Sequence, residues 1–203
     1  MLRWGRIEVS GGFLLVAAAL YYLDTQNLLP WAAAACALHE LGHYLVIRLF
    51  GGRVAALRLS CTGAEMALSA RRPLPELGAF CAALAGPGMN LLLAACSVRL
   101  AAVGLGENFY VFAGLNLGMA CFNLLPVAPL DGGRALRSLA ALLWSGALGE
   151  RLVRLSSLAV SLALTVGGGV LVLRGRANFT LLITACWLLA ASAPKGAKKR
   201  AFS

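Results

Sequence analysis

Six long apolar stretches dominate this chain, at about residues 9–23, 29–50, 77–103, 108–128, 152–173 and 177–193. Where a segment leaves water, its backbone must satisfy its own hydrogen bonds, and within one segment only a helix does so. Each stretch is close to the roughly 20 residues that cross a bilayer. The pattern predicts an all-α polytopic membrane protein with about six transmembrane helices, a single integral membrane domain over 1–203 with no separate soluble domain. Composition closes off the alternatives. The chain is 60% apolar and 13% charged, with a mean hydropathy of +0.81, against about 45–50% and about 25% in soluble domains. Disordered chains are poor in apolar residues, so disorder is excluded. A net charge of +10 is also compatible with nucleic-acid binding. That would need Lys and Arg gathered on a soluble face, and no nucleic-acid partner is expected here.

The charges sort by side instead. Fifteen of the 18 Lys and Arg fall on one side of the six predicted spans, and Arg99, Arg174 and Arg176 on the other. Cytoplasmic loops collect basic residues, so the expected location is the cell membrane, multi-pass, with both termini and a basic tail (194–203) in the cytoplasm. The first stretch follows Arg3 and Arg6 but ends in Tyr21-Tyr22-Leu23-Asp24, without a small-residue cleavage site. It reads as a retained helix rather than a signal peptide. The six cysteines show no CxxC pairing and read as small hydrophobes.

Residues 51–72 interrupt the helical pattern. Gly51-Gly52 opens the segment, Thr62-Gly63 divides it, and Pro73 and Pro75 follow. Residues 54–60 and 64–68 read as two short strands around a turn, a small membrane-associated β-hairpin between the second and third helices.

The chain's only two histidines stand four residues apart in His39-Glu40-Leu41-Gly42-His43. On a helix that spacing puts both imidazoles on one face, where they can share a metal ion. Glu40 lies beside the first histidine, within reach of a water that the metal activates, the H-E-x-x-H arrangement of zinc peptidases. Ionisable residues at bilayer depth cost roughly 2.5–3.5 kcal/mol each, so three within five residues need a compensating partner.

A catalytic zinc ion takes three protein ligands and leaves one position open. Eight acidic residues are available: Glu8, Asp24, Glu40, Glu65, Glu76, Glu107, Asp131 and Glu150. Asp131 is the best third ligand, because it follows Pro126 and Pro129 at the inner end of the fourth stretch. Prolines there break the helix, and Gly132-Gly133 permits a close turn afterwards. Glu65 is the runner-up. Cys36, one turn before His39, is a poorer candidate and reads as packing.

Three motifs, His39 to His43, Ala85-Gly86-Pro87-Gly88-Met89-Asn90, and residues 123–134 with Pro129-Leu130-Asp131-Gly132-Gly133 at their centre, resemble the site-2 protease family of intramembrane zinc metalloproteases. The likeness is to the compact bacterial branch typified by the stage IV sporulation protein FB, and it covers a catalytic core of about residues 29–135. The resemblance implies one Zn²⁺ held by His39, His43 and Asp131, with Glu40 as the catalytic carboxylate. It also implies regulated cleavage in or near transmembrane segments of membrane-tethered proteins. Transcription-factor precursors, anti-sigma factors and remnant signal peptides are the substrate classes, with separate regulatory membrane proteins as further partners.

The resemblance puts Asn90 near the catalytic centre. It there either hydrogen-bonds a reaction intermediate or joins helices, and Asn123 carries the same alternatives. Asn116 reads as packing, and Gly86, Pro87 and Gly88 as a place of close helix approach and a local kink. The hairpin either receives an unfolded substrate strand or lies on the membrane surface. Two other functions are compatible with such a chain: an inactive relative acting as a membrane-protein chaperone, and a zinc- or proton-coupled transporter. All four catalytic positions are filled, and no inverted repeat is visible, which favours the protease.

Overall fold

The computed structural model describes residues 2–5, 7–60, 63–69, 73–174 and 180–192. The basic tail, Thr62 of the predicted turn, Arg6, Arg71, Arg72, Arg176 and the start of the sixth stretch (177–179) lie outside the described residues. The element order is β1 (Leu2–Trp4), β2 (Ile7–Val9), α1 (Gly11–Leu23), α2 (Leu29–Leu49), β3 (Val54–Ser60), β4 (Gly63–Leu68), α3 (Glu76–Ala102), α4 (Asn108–Asn123), α5 (Asp131–Leu143), α6 (Gly146–Leu173) and α7 (Thr180–Ser192). The chain divides into two compact units, Met1–Leu124 and Leu125–Ser203.

In the first unit the expected hairpin is present. β3 and β4 pair antiparallel, Leu57 opposite Met66 and Ser60 opposite Gly63. It is half of a larger sheet of order β1-β2-β3-β4, which corrects the expectation of an isolated hairpin in an otherwise all-α chain. The added strands come from the N-terminus, where Leu2-Arg3-Trp4 and Ile7-Glu8-Val9 alternate polarity over only three residues each. Gly5 turns between them at φ +61°, a conformation that costs glycine little. β2 runs parallel to β3, and the register setting Glu8 opposite Arg58 also closes an ion pair of 2.9 Å. Ser10 continues the sheet by donating its N–H to the Leu59 carbonyl. Its hydroxyl also accepts from the Phe13 N–H at 3.1 Å, a cap that starts α1.

α2 begins where the Asp24 carboxylate accepts from the N–H groups of Leu28 and Leu29 at 2.8 and 2.7 Å, with Pro30 in the first turn. It ends at Gly51, φ +77°, the left-handed residue that commonly closes a helix. α2, α3 and α4 pack together, and near the start of α2 the Trp31 ring meets Phe109 and Phe112 at centroid distances of 6.4 and 5.5 Å.

At the end of the first unit, the apolar stretch predicted to reach residue 128 leaves its helix at Asn123. The loop that follows carries Pro126 and Pro129 and is fastened to α6 by two serines. Ser156 Oγ donates to the Pro126 carbonyl at 2.5 Å, and Ser157 Oγ accepts from the Ala128 N–H at 2.9 Å. Gly132 and Gly133 then form the first turn of a helix rather than the predicted close turn, because α5 starts at Asp131. A methyl group at Gly133 would collide with the Val127 carbonyl, so close approach of the loop to the helix requires glycine there. α6 begins at Gly146, six residues before the fifth stretch, with Ser145 Oγ accepting from the Leu148 N–H at 3.2 Å.

Among the described residues two helices, α3 with 27 residues and α6 with 28, are long and apolar enough to cross a membrane. Each extends about 40 Å at 1.5 Å per residue. α2 has 21 residues, but His39, Glu40, His43 and Arg48 dilute its hydropathy. α1 buries none of its residues and leaves Leu14, Leu15, Leu20 and Tyr22 exposed. On α6 Leu155, Leu158, Leu162, Val166 and Val170 form an exposed apolar stripe. Contiguous outward-facing apolar surface of this kind suits hydrocarbon rather than water.

Candidate metal centre

α2 and α3 run antiparallel, and a four-residue spacing on one matches a four-residue spacing on the other. His39 and His43 on α2 face Ala82, Gly86 and Asn90 on α3. His43 Nδ1 donates to the Ala82 carbonyl at 2.7 Å, and His39 Nδ1 is hydrogen-bonded directly to Asn90 Oδ1. A carbonyl oxygen only accepts, so in the neutral imidazole each Nδ1 carries the ring's proton and each Nε2 is left with a lone pair. The two Nε2 atoms stand 3.1 Å apart, with ring centroids at 4.7 Å and planes crossing at 83°. Both histidines are buried, 4% and 9% exposed.

This arrangement fits a shared cation. Two nitrogens about 2.1 Å from one tetrahedral ion lie roughly 3.3–3.4 Å apart, close to the observed separation. Gly86 makes the room. A methyl group on it would collide with His43 Nε2 and come within 2.7 Å of His39 Cε1. Gly42 likewise sits 2.7 Å, measured from the position of an added Cβ, from the Ala85 carbonyl, and so sets the helix separation. Gly88 meets nothing within 4 Å, so of the two glycines flanking Pro87 only Gly86 is required by packing.

Glu40 is half-buried next to His39, and Cys36 is half-buried one turn earlier. Asn90 is fully buried; its Nδ2 donates to Asn116 Oδ1 at 2.7 Å and to the Ala35 carbonyl at 3.4 Å. Asn123 closes α4 with its Nδ2 turned back to the Met119 carbonyl at 3.1 Å. Glu65 lies on β4 opposite Arg58. In the second unit Asp131 is a buried carboxylate, 6% exposed, in the first turn of α5, with Arg134 Nη1 3.9 Å from its Oδ1. The Ala82 carbonyl, Gly86 and Asn116 escaped the sequence reading as parts of the site. The four-residue spacing of Ala82, Gly86 and Asn90 was the available signal, the counterpart of the histidine spacing.

A His-Glu-x-x-His helix whose two imidazoles are buried and oriented through their far nitrogens has the geometry of one class, a metallopeptidase-type centre. Comparison with known proteins narrows it. The model of peptidase family M50 matches residues 95–167. The zinc metalloprotease Rip3 of Mycobacterium tuberculosis is 34% identical over 172 residues, covering 75% of this chain and 42% of Rip3. Stage IV sporulation protein FB of Bacillus subtilis is 35% identical over 103 residues, 49% of this chain and 35% of that protein. The solved structure of the site-2 protease from Methanocaldococcus jannaschii superposes with a TM-score of 0.71 at 20% identity, over 100% of this chain and 98% of that one. Residues 95–167 thus carry the match to peptidase family M50, and the chain as a whole has the fold of that site-2 protease structure. The chain spans less than half the length of the curated relatives it matches.

Proposed function

We propose that this protein is an intramembrane zinc metalloprotease that hydrolyses peptide bonds in or near transmembrane segments of membrane-tethered proteins. The observation that carries the reading is the histidine pair on α2, with both Nε2 lone pairs converging at 3.1 Å inside an H-E-x-x-H motif. Names of related proteins support it, since Rip3 is a zinc metalloprotease by name. His39, His43 and Asp131 would hold one zinc ion per chain. Two imidazole nitrogens and a carboxylate oxygen are a donor set zinc accepts.

When bound, zinc lowers the pKa of water toward about 7 and polarises the scissile carbonyl. Glu40 takes a proton from the attacking water and returns it to the leaving amine. Ala82 and Asn90 orient the imidazoles, and Gly86 keeps their space clear. The helical substrate segment must unwind for its carbonyl to reach this depth, and strand pairing with the β-sheet would hold it extended. The protein sits in the cell membrane as about six crossings, both termini in the cytoplasm. α3 and α6 provide two of them, and the others use helices whose length or hydropathy falls short alone. Transcription-factor precursors, anti-sigma factors and remnant signal peptides are the substrate classes to examine.

The test is a comparison of membrane proteomes from cells carrying wild-type protein or Glu40→Gln. Membrane-tethered proteins accumulate uncut in the variant if the proposal holds. Identical proteomes, with both proteins expressed and zinc-loaded, would refute it.

A further inference from the structure

We infer that Asn116 on α4 is a positioning residue for His39, acting through Asn90, so that a helix without a ligand in the first unit sets which nitrogen of a ligand faces the metal. The inference rests on the zinc reading above. The observation is a continuous buried chain of hydrogen bonds. Asn116 Nδ2 donates to the Phe112 carbonyl at 2.8 Å, one turn back on its own helix. Asn116 Oδ1 therefore faces Asn90 and accepts from its Nδ2 at 2.7 Å. That leaves Asn90 Oδ1 toward His39, where it accepts from Nδ1.

The direction of such a chain carries information. A primary amide can offer either its oxygen or its nitrogen, and rotation by half a turn exchanges them. The Phe112 carbonyl can only accept, so it fixes the polarity of Asn116, which fixes Asn90, which fixes the His39 proton on Nδ1. The Ala35 carbonyl supports the same orientation of Asn90, but from 3.4 Å, a longer and weaker contact than the one to Asn116. Both amides are completely inaccessible, 0% exposed, so water cannot substitute for a missing partner. Were Asn90 turned over, its NH₂ would face His39 and favour the ring form with the proton on Nε2. That form cannot ligate through Nε2. His43 has no such dependence, because a backbone carbonyl holds its Nδ1.

The experiment measures zinc affinity by chelator competition on the full-length detergent-solubilised protein. The set is wild type, Asn116→Leu, Asn116→Asp, Asn90→Ala and the Asn90→Ala/Asn116→Leu double variant, with helical circular dichroism as the folding control. Outer hydrogen bonds to ligand histidines are worth roughly 10–100-fold in metal affinity, and Asn116, one link further out, should fall near tenfold. Asn116→Asp keeps an acceptor and wild-type affinity. The double variant binds like Asn90→Ala alone, because the two residues act in series. Residues that merely join helices would instead lower stability and leave zinc binding intact. Unchanged affinity in folded Asn116→Leu, or losses that multiply in the double variant, overturns the inference. Asn116→Ala serves where the leucine variant does not fold. A wild type that binds no zinc would refute the proposed function, and ¹⁵N spectra of the two histidines then decide the inference. His39 Nδ1–H is protected from exchange in wild type and loses that protection in Asn116→Leu. Equal protection in both would contradict it.

Discussion

The two units hold their proposed ligands by different means. In the first, side chains orient side chains: α3 and α4 contribute a carbonyl, a glycine and two amides that fix the tilt and protonation of His39 and His43. In the second, backbone is held by hydroxyls: Ser156 and Ser157 fasten the Pro126–Pro129 loop, and Asp131 follows as the first residue of α5. The contrast follows from the ligands. An imidazole has two nitrogens and must be told which one to offer, so its far nitrogen needs a partner. An ionised carboxylate only accepts, and placing its backbone is sufficient.

Substitutions in the first unit should therefore act on metal binding, and those at the clamp of the second on stability. The largest effect is expected for Glu40→Gln, which changes neither scaffold. Purified protein should keep zinc and lose peptide cleavage by at least about 10²–10⁴-fold, the usual share of general acid–base catalysis. Wild-type turnover by this variant would remove Glu40 from the mechanism. His43→Ala and Asp131→Ala, one in each unit, should both lose stoichiometric zinc in elemental analysis. Retention of full zinc by either would remove that residue from the donor set.

Next comes Gly86→Val. Its side chain occupies the space of both imidazoles, so zinc affinity should drop by more than the roughly 10–100-fold of an outer hydrogen bond, with helical content preserved. Affinity equal to wild type in chelator competition would show that the rings move without penalty. The smallest effect is expected for Ser157→Ala, which removes the partner of the half-buried Ala128 N–H. Thermal unfolding should report a loss of about 1–3 kcal/mol, while zinc affinity stays near wild type. A large loss of affinity without loss of stability would erase the distinction between the two regions.

Much of this arrangement was legible in the sequence. His39, Glu40 and His43 share a helix because their spacing matches its period, and β3 and β4 fall within a residue of their predicted bounds. What was missed has common causes. β1 and β2 are three residues each, too short for alternation to register. α5 opens with Asp131-Gly132-Gly133-Arg134, a polar first turn that a search for apolar spans passes over. α4 stops at Asn123 although Leu124 and Leu125 continue the apolar run, because Pro126 and Pro129 cannot extend it. The amide chain was invisible for a different reason. Asn90 and Asn116 are 26 residues apart, and only the packing of α3 on α4 makes them neighbours.

The proposed donor set is two histidines and a carboxylate, although half-buried Cys36 lies one turn from His39. X-ray absorption at the zinc edge of the purified full-length protein tests this directly. The expected spectrum has two imidazole shells and light oxygen or nitrogen scatterers near 2.0–2.2 Å, with nothing at the sulfur distance near 2.3 Å. A sulfur shell, or a signal with no imidazole contribution, would contradict it.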